Sequence, residues 1–224
     1  QKKIDFNNRL LICSGYPLDY RYYETNNFDY IKNKINNSGA TKIISYFDVN
    51  FHKGDSERWA SGKVIRSDYK FLLKKVIENK WLGLIIKPKN PLNFQSSIGP
   101  INDLLKKALD TNRCYLFSKP HNLNMEISKI SDLSIHSVLR AGTSGIEAAL
   151  FKKPTFFLDR DNWKESDLYV LQKDKVIFNS IESLWEKIVG DWDNILNENI
   201  SIWKKNFKYF NNYNDNKSNE RVIY

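Results

Sequence analysis

Cysteine is scarce in this chain of 224 residues, and what is absent already narrows its class. Cys13 and Cys114 are too few and too far apart for a disulfide framework or a clustered zinc site, which fits a reducing, cytoplasmic setting. The three histidines, His52, His121 and His136, are scattered without metal-ligand spacing, so no metal site is expected. Long apolar runs are missing too. Stretches such as Leu82-Gly-Leu-Ile-Ile86 fall far short of the roughly 20 residues that span a bilayer. The first residue is Gln1, with no initiator methionine, apolar signal core or small-residue cleavage site, and the chain is expected to be a piece of a longer protein.

Apolar residues are present in the amount a packed globule needs: 41% hydrophobic and 14% aromatic. The length suits one substantial core with appendages. A net charge of +9 favours an anionic partner, which leaves open a nucleotide, a nucleic acid or an acidic membrane surface.

Short apolar runs alternate with segments of helical period, the pattern of βαβ units closing on a parallel sheet. The spacing predicts strands at 10–14, 42–47, 82–87, 114–118, 133–137, 155–158 and 175–178, and helices at 67–79, 101–110, 125–130, 145–151, 181–189 and 194–210. Gly39, Gly83 and the pair Pro88 and Pro91 are expected at turns, and Lys153-Pro154 beyond a helix end. The fold expected is α/β, a doubly wound, Rossmann-like parallel sheet ending in a carboxyl-terminal helix outside the sheet. Residues 1–39 are read as a lead-in segment, a remnant of or link to an amino-terminal domain, and 40–224 as the domain itself. Ligands of such sheets bind beyond the carboxyl ends of the strands, at the switch in strand order. The informative loops are then those after Phe47, Lys87, Ser118 and Ser137.

One stretch carries the chemistry. After strand 133–137 come Val138-Leu-Arg-Ala-Gly-Thr-Ser-Gly-Ile-Glu147 and, a few residues on, Lys153-Pro154. Small residues at Ala141, Gly142, Ser144 and Gly145 allow a ligand close to the backbone, and the N–H groups opening the next helix suit a pyrophosphate. Arg140 is placed to add a charge-assisted contact. Glu147, in the first helical turn, suits two vicinal ribose hydroxyls. The same spacing, Ser144-Gly-Ile-Glu147, is also a capping box in which both side chains only tie off the helix end.

This stretch resembles the donor-binding signature of GT-B glycosyltransferases, whose carboxyl-terminal domain carries a small-residue turn, a helix with an early glutamate and a Lys-Pro before the next strand. It is similar to that region of the transferase that adds N-acetylglucosamine to lipid I, and of the lipid A disaccharide and Kdo transferases. The resemblance implies a ribose role for Glu147 and a phosphate role for Thr143, Ser144 and Gly145 beside Gly142. More of the chain, about residues 40 to 224, resembles bacterial surface-polysaccharide biosynthesis proteins. The matching pieces are Ile44-Ser-Tyr-Phe-Asp48, Leu84-Ile-Ile-Lys-Pro-Lys89, Ala141-Gly-Thr-Ser-Gly-Ile-Glu-Ala-Ala149, Phe157-Leu-Asp-Arg-Asp-Asn-Trp163 and Asn219-Glu-Arg221. The resemblance further implies a UDP- or CMP-linked sugar as donor substrate, no further cofactor, a glycan or lipid-linked acceptor, and an amino-terminal acceptor domain.

The supporting residues have plainer readings beside the functional ones. Lys87 and Lys89 are candidates for a donor phosphate or carboxylate, or form a solvated basic turn. They resemble the Lys-x-His-Pro segment of sialyl-, Kdo- and glycerophosphotransferases, but the histidine is absent. Asp48 is either a polar ligand or a turn aspartate. His136 reads as a satisfied core histidine before a base, and His121 as a residue facing the nucleobase. Asp159, Arg160 and Asp161 line the sugar end of a pocket or form a solvated charged loop. Trp163, Trp185, Trp192 and Trp203 are expected to pack helices on the sheet. The mixed aromatic and basic tail 203–210 either rests on an anionic membrane, giving peripheral contact at the inner membrane, or packs across a partner domain. Two rival functions remain. A GT-B-like UDP-sugar epimerase needs paired carboxylates and a histidine around the sugar, and no convincing set is present. A nucleic-acid-binding module is suggested by charge alone, without aromatics interleaved on one sheet face.

Overall fold

In the computed structural model, the described residues are 16, 28–51, 61–118, 124–139, 142–171, 173–211, 213, 215 and 217–223. Strand 10–14 and residues Arg140 and His121 lie outside them. Six strands form one sheet: β1 (Lys42–Phe47), β2 (Leu82–Lys87), β3 (Cys114–Leu116), β4 (Leu133–His136), β5 (Thr155–Leu158) and β6 (Ile177–Phe178). Their order is β3-β2-β1-β4-β5-β6, and every pairing is parallel. Sheets of this kind are covered on both faces, and β1, β2 and β5 accordingly read as nearly unbroken apolar runs.

Side chains alternate across the sheet with period two, and the alternation sorts the helices into two layers. Ile44 and Tyr46 of β1 face α2 (Gly62–Glu78), which buries Ile65, Tyr69, Leu72, Leu73 and Val76, with α4 (Asn102–Asp110) and α7 (Ile181–Gly190) in the same layer. A short α3 (Phe94–Ile98) adds Phe94 and Ile98 to that core. Ile43 and Phe47 face the opposite layer, where α1 (Asp29–Asn37) and α5 (Asn124–Ile130) pack. On that side α6 (Thr143–Leu150) and α8 (Trp192–Asn206) cover Phe157 and Ile177. A last helix, α9 (Ser218–Ile223), closes the described chain.

Strands 42–47, 82–87 and 155–158 stand where the pattern puts them. Elsewhere the boundaries move for local reasons. The strand expected at 175–178 keeps Ile177–Phe178, because Asp174, with φ of 59°, turns the chain and its N–H donates to Ile177 O. The helix expected from 67 begins at Gly62, since the Ser61 hydroxyl accepts from Lys63 N at 3.2 Å and caps it there. Gly83 is no turn residue. It lies inside β2, where an added Cβ would meet Ile35 Cγ2 at 2.5 Å, so its missing side chain is what lets α1 lie against the sheet. Gly39, with φ of 96°, does turn the chain after α1. Within the segment read as a lead-in, residues 29–37 form α1, whose Ile31 and Ile35 are fully buried one helical turn apart.

The tail is spent on the domain's own core. Trp203 is buried against Phe157, Phe207 and Phe210, with ring centroids 6.1, 6.3 and 5.6 Å away, so these aromatic side chains of 203–210 pack on the domain's own core, while Tyr209 is exposed. Trp81, Trp185 and Trp192 pack together beside the other layer. Among the described residues no helix is long and apolar enough to cross a membrane.

Side chains of α8 also complete the first residue of β5. Asn199, fully buried, accepts from Thr155 N at 2.8 Å and donates to Thr155 O at 2.9 Å, while Trp203 Nε1 donates to the same carbonyl at 3.1 Å. Asn199→Ala strands a buried backbone N–H and is expected to cost about 2–3 kcal/mol, read as a lower urea midpoint at unchanged m-value.

Candidate functional site

The strand order reverses between β1 and β4. From β1 the sheet continues through β2 to one edge, and from β4 through β5 to the other, so the loops leaving Phe47 and His136 diverge above the pair. Asp48, Ser137 and the start of α6 stand around that point, with Lys87 at the end of β2 and Asp159 and Arg160 beyond β5.

Helix α6 begins at Thr143, earlier than the pattern suggests, and this bears on the capping-box reading of Ser144-Gly-Ile-Glu147. The residue before the helix is Gly142, no side chain caps it, and Ser144 lies in the first turn. The Ser144 hydroxyl is instead 3.0 Å from His136 Nδ1, and Glu147 sits in the second turn. No capping box forms. Gly145 N and Ile146 N both donate to Gly142 O at 3.0 Å, which leaves the amides of Thr143 and Ser144 without acceptors inside the helix. Glycine at 142 and 145 is also required by packing. A Cβ on Gly145 would run into the Phe157 ring, 2.6 Å from Cε1, and 3.2 Å from His136 Cδ2, and one on Gly142 would collide with Leu168.

His136 is the satisfied core histidine of the plainer reading. Nε2 lies 3.1 Å from Ser134 Oγ, and the ring stacks on Phe47 at 4.7 Å with 12° between planes. Burial holds its pKa down at about 3, so it stays neutral at working pH.

Glu147 is buried, at 7% exposure, and its carboxylate is held by residues far away in sequence. Tyr16 OH donates to Oε1 at 2.9 Å and Asn124 Nδ2 donates to Oε2 at 3.0 Å. Tyr16 N in turn donates to Asn211 Oδ1 at 3.2 Å. No motif marks Tyr16, Asn124 or Asn211, and sequence reading missed all three; the Tyr16 contact crosses a separation of 131 residues. Each carboxylate oxygen retains a second lone-pair direction.

The other charged candidates tie strand ends together. Asp48 is buried, accepting from Tyr69 OH at 2.7 Å and from Lys89 N, so it joins the ends of β1 and β2. Burial pushes its carboxyl up to about 7 against the pull of those hydrogen bonds and of Lys87 and Lys89. The Lys87 ammonium is buried and donates to Pro88 O at 3.1 Å, and burial lowers its pKa. Lys89 is exposed. Arg160 pairs with buried Asp68 and donates to Ser137 O at 3.0 Å, while Asp68 also accepts from Tyr46 OH at 2.7 Å. Asp159 is buried, not solvated: its carboxylate accepts from Trp163 N at 3.0 Å and from Tyr169 OH. The structure thus gathers Thr143, Ser144 and Glu147 on one helix, and it gives Asp48, Lys87, Asp159 and Arg160 structural partners.

An all-parallel sheet in this order, with a helix opening at the switch point, is a Rossmann-like doubly wound fold, the kind of domain from which the halves of GT-B proteins are built. Among solved structures the chain is similar to a histidine-to-alanine variant of the wall teichoic acid polymerase TagF, with a TM-score of 0.60 and 15% identity over 98% of this chain and 51% of that one. It therefore spans about half the length of that structure, and at such identity the likeness speaks for the fold. It is also similar to the C-terminal CMP-Kdo binding domain of WaaA from Acinetobacter baumannii, with a TM-score of 0.45 and 10% identity over 78% of this chain and 97% of that one, too low to argue from. No family model and no curated protein matches.

Two measurements check this geometry. Gly145→Ala is expected to destabilise the fold by about 1–3 kcal/mol, since helix or ring must shift to admit a methyl. The His136 ring is expected to show flat NMR shifts from pH 8 to 5, where a free imidazole titrates near 6.5. Its folded pKa lies below the unfolded value, so its contribution is intact above about 6.5. As pH falls from there toward 3, that contribution is lost at up to about 1.4 kcal/mol per pH unit.

Proposed function

We propose that the chain is the nucleotide-sugar-binding half of a glycosyltransferase acting in surface-polysaccharide or lipopolysaccharide assembly. The observation that carries this reading is Glu147: a buried carboxylate on the helix that opens beside the switch point, used by no helix cap and held ready as an acceptor. Its free lone pairs suit the two vicinal hydroxyls of a ribose.

The open amides of Thr143 and Ser144 suit the donor's phosphates, because a helix start carries partial positive charge and unpaired N–H groups. Exposed Lys89 adds charge, and Arg140 and His121, outside the described residues, are assigned by this reading to the phosphates and to the base. When the glycosidic bond to the nucleotide breaks, negative charge grows on the departing phosphate, and donors fixed there lower the barrier by favouring that charge. The acceptor is a glycan or lipid-linked chain, presented with its proton-accepting group by an amino-terminal domain. The chain covers 51% of the wall teichoic acid polymerase it resembles in fold, which is compatible with a further domain in the whole protein.

Calorimetry with UDP, CMP, CDP and GDP tests the reading. One nucleotide is expected to bind, and Glu147→Gln to weaken it by about 1–3 kcal/mol through lost charge-assisted hydrogen bonds, with a smaller change in thermal stability. Equal affinity of Glu147→Gln and the parent chain sinks the ribose role. Absence of binding across the panel sinks the reading as a whole. On a defined acceptor, residues 1–224 alone are expected to turn over slowly or not at all, and full turnover would show that the acceptor side is complete within the chain.

A further inference from the structure

We propose that Tyr16 is a built-in occupant of the Glu147 site, and that a ligand bearing vicinal hydroxyls binds by displacing it. The inference rests on the nucleotide reading for the identity of that ligand, while the placement of Tyr16 stands on contacts of its own.

The chemistry of the contact is that of a substrate hydroxyl. A phenol O–H donates to Glu147 Oε1 at 2.9 Å, as a ribose hydroxyl would, and Tyr16 is half-buried in doing so. Its pKa is raised, first by burial and then by the charge of Glu147 and the hydrogen bond to it, so it remains a neutral donor across the working range. With Asn124 on the other oxygen, each carboxylate oxygen has one donor, and the residue is nearly closed to solvent. Two further hydroxyls reach it once the phenol leaves.

Asn211 supplies the second observation. Its Oδ1 accepts two backbone donors, Tyr16 N at 3.2 Å and Tyr213 N at 3.4 Å, which fixes which end of the amide is oxygen. The other end, Nδ2, is buried with no hydrogen-bond partner among the described residues, on a side chain only 4% exposed. A buried donor without an acceptor is costly and rare. Tyr16 presents two donors to this cluster, its O–H and its N–H, and so matches Glu147 and Asn211 Oδ1 but leaves Nδ2 unpaired. A ligand carrying an acceptor oxygen as well as hydroxyl donors, as a nucleoside does, completes the set that Tyr16 fills in part.

The test compares the parent chain with Tyr16→Phe and Tyr16→Ala. One arm measures the Kd of UDP and CMP, and the other the rate at which a water-soluble carbodiimide labels Glu147, read by mass spectrometry. The expected results are affinity tightened roughly 3- to 10-fold in both variants, Glu147 labelling raised several-fold in Tyr16→Ala, and protection restored by the nucleotide. Binding seen in the variants but not in the parent supports the proposal equally. Weaker binding in Tyr16→Phe would make Tyr16 a positioning residue and overturn it, as would unchanged labelling in Tyr16→Ala. If no chain binds either nucleotide while labelling still rises, Tyr16 does occupy Glu147 and it is the nucleotide reading that fails.

Discussion

Helix α6 lies on the sheet with only a glycine hydrogen between its backbone and the Phe157 ring, and the candidate site depends on that approach. A helix held so close cannot rotate, because Gly145 must face β5. Residues beside it are then fixed in direction: Glu147 is turned toward Asn124 of α5 and Tyr16, and Ser144 toward His136. The neutral imidazole belongs to the same arrangement. Wedged between Phe47 and Phe157 and bonded to Ser134 and Ser144, it joins the end of β4 to the first turn of the helix after it.

The upper edge of the sheet is held by a second device. Three buried carboxylates each accept from a tyrosine hydroxyl on another element: Asp48 from Tyr69 of α2, Asp68 on α2 from Tyr46 of β1, and Asp159 from Tyr169. Two of them, Asp48 and Asp68, carry raised pKa values because burial outweighs their hydrogen bonds and, for Asp68, the Arg160 charge. These groups fix where loops leave the strands, and so hold the crevice in shape without lining it as ligands.

Much of the fold was legible because central parallel strands, buried on both faces, must be apolar throughout, and 42–47, 82–87 and 155–158 can hardly be anything else. Helix α1 was not legible, since its burial rests on two isoleucines among polar residues and on a gap left by Gly83 in a strand met much later. The spacing around Glu147 admitted a capping box that the helix does not form. Ser144 and Glu147 have the spacing of a cap, but a hydroxyl can serve only where the helix begins, and a histidine on the preceding strand claimed it. The partners of Glu147 were beyond reach for a simpler reason: a tyrosine and an asparagine with no periodicity or motif around them give no sign that they converge.

That convergence bears on how the protein comes into being. Tyr16 touches Glu147 across 131 residues and Asn211 across 195, so the cluster joins the first tenth of the chain to its last tenth through the middle. Contacts of such separation carry a large loop-closure cost and tend to form late. During synthesis, the strands and helices up to β6 have partners within reach before residue 211 leaves the ribosome, so Asn211 arrives after every strand of the sheet. The sheet is then an early product of folding and the Glu147 cluster a later one, complete only after all six strands have been made.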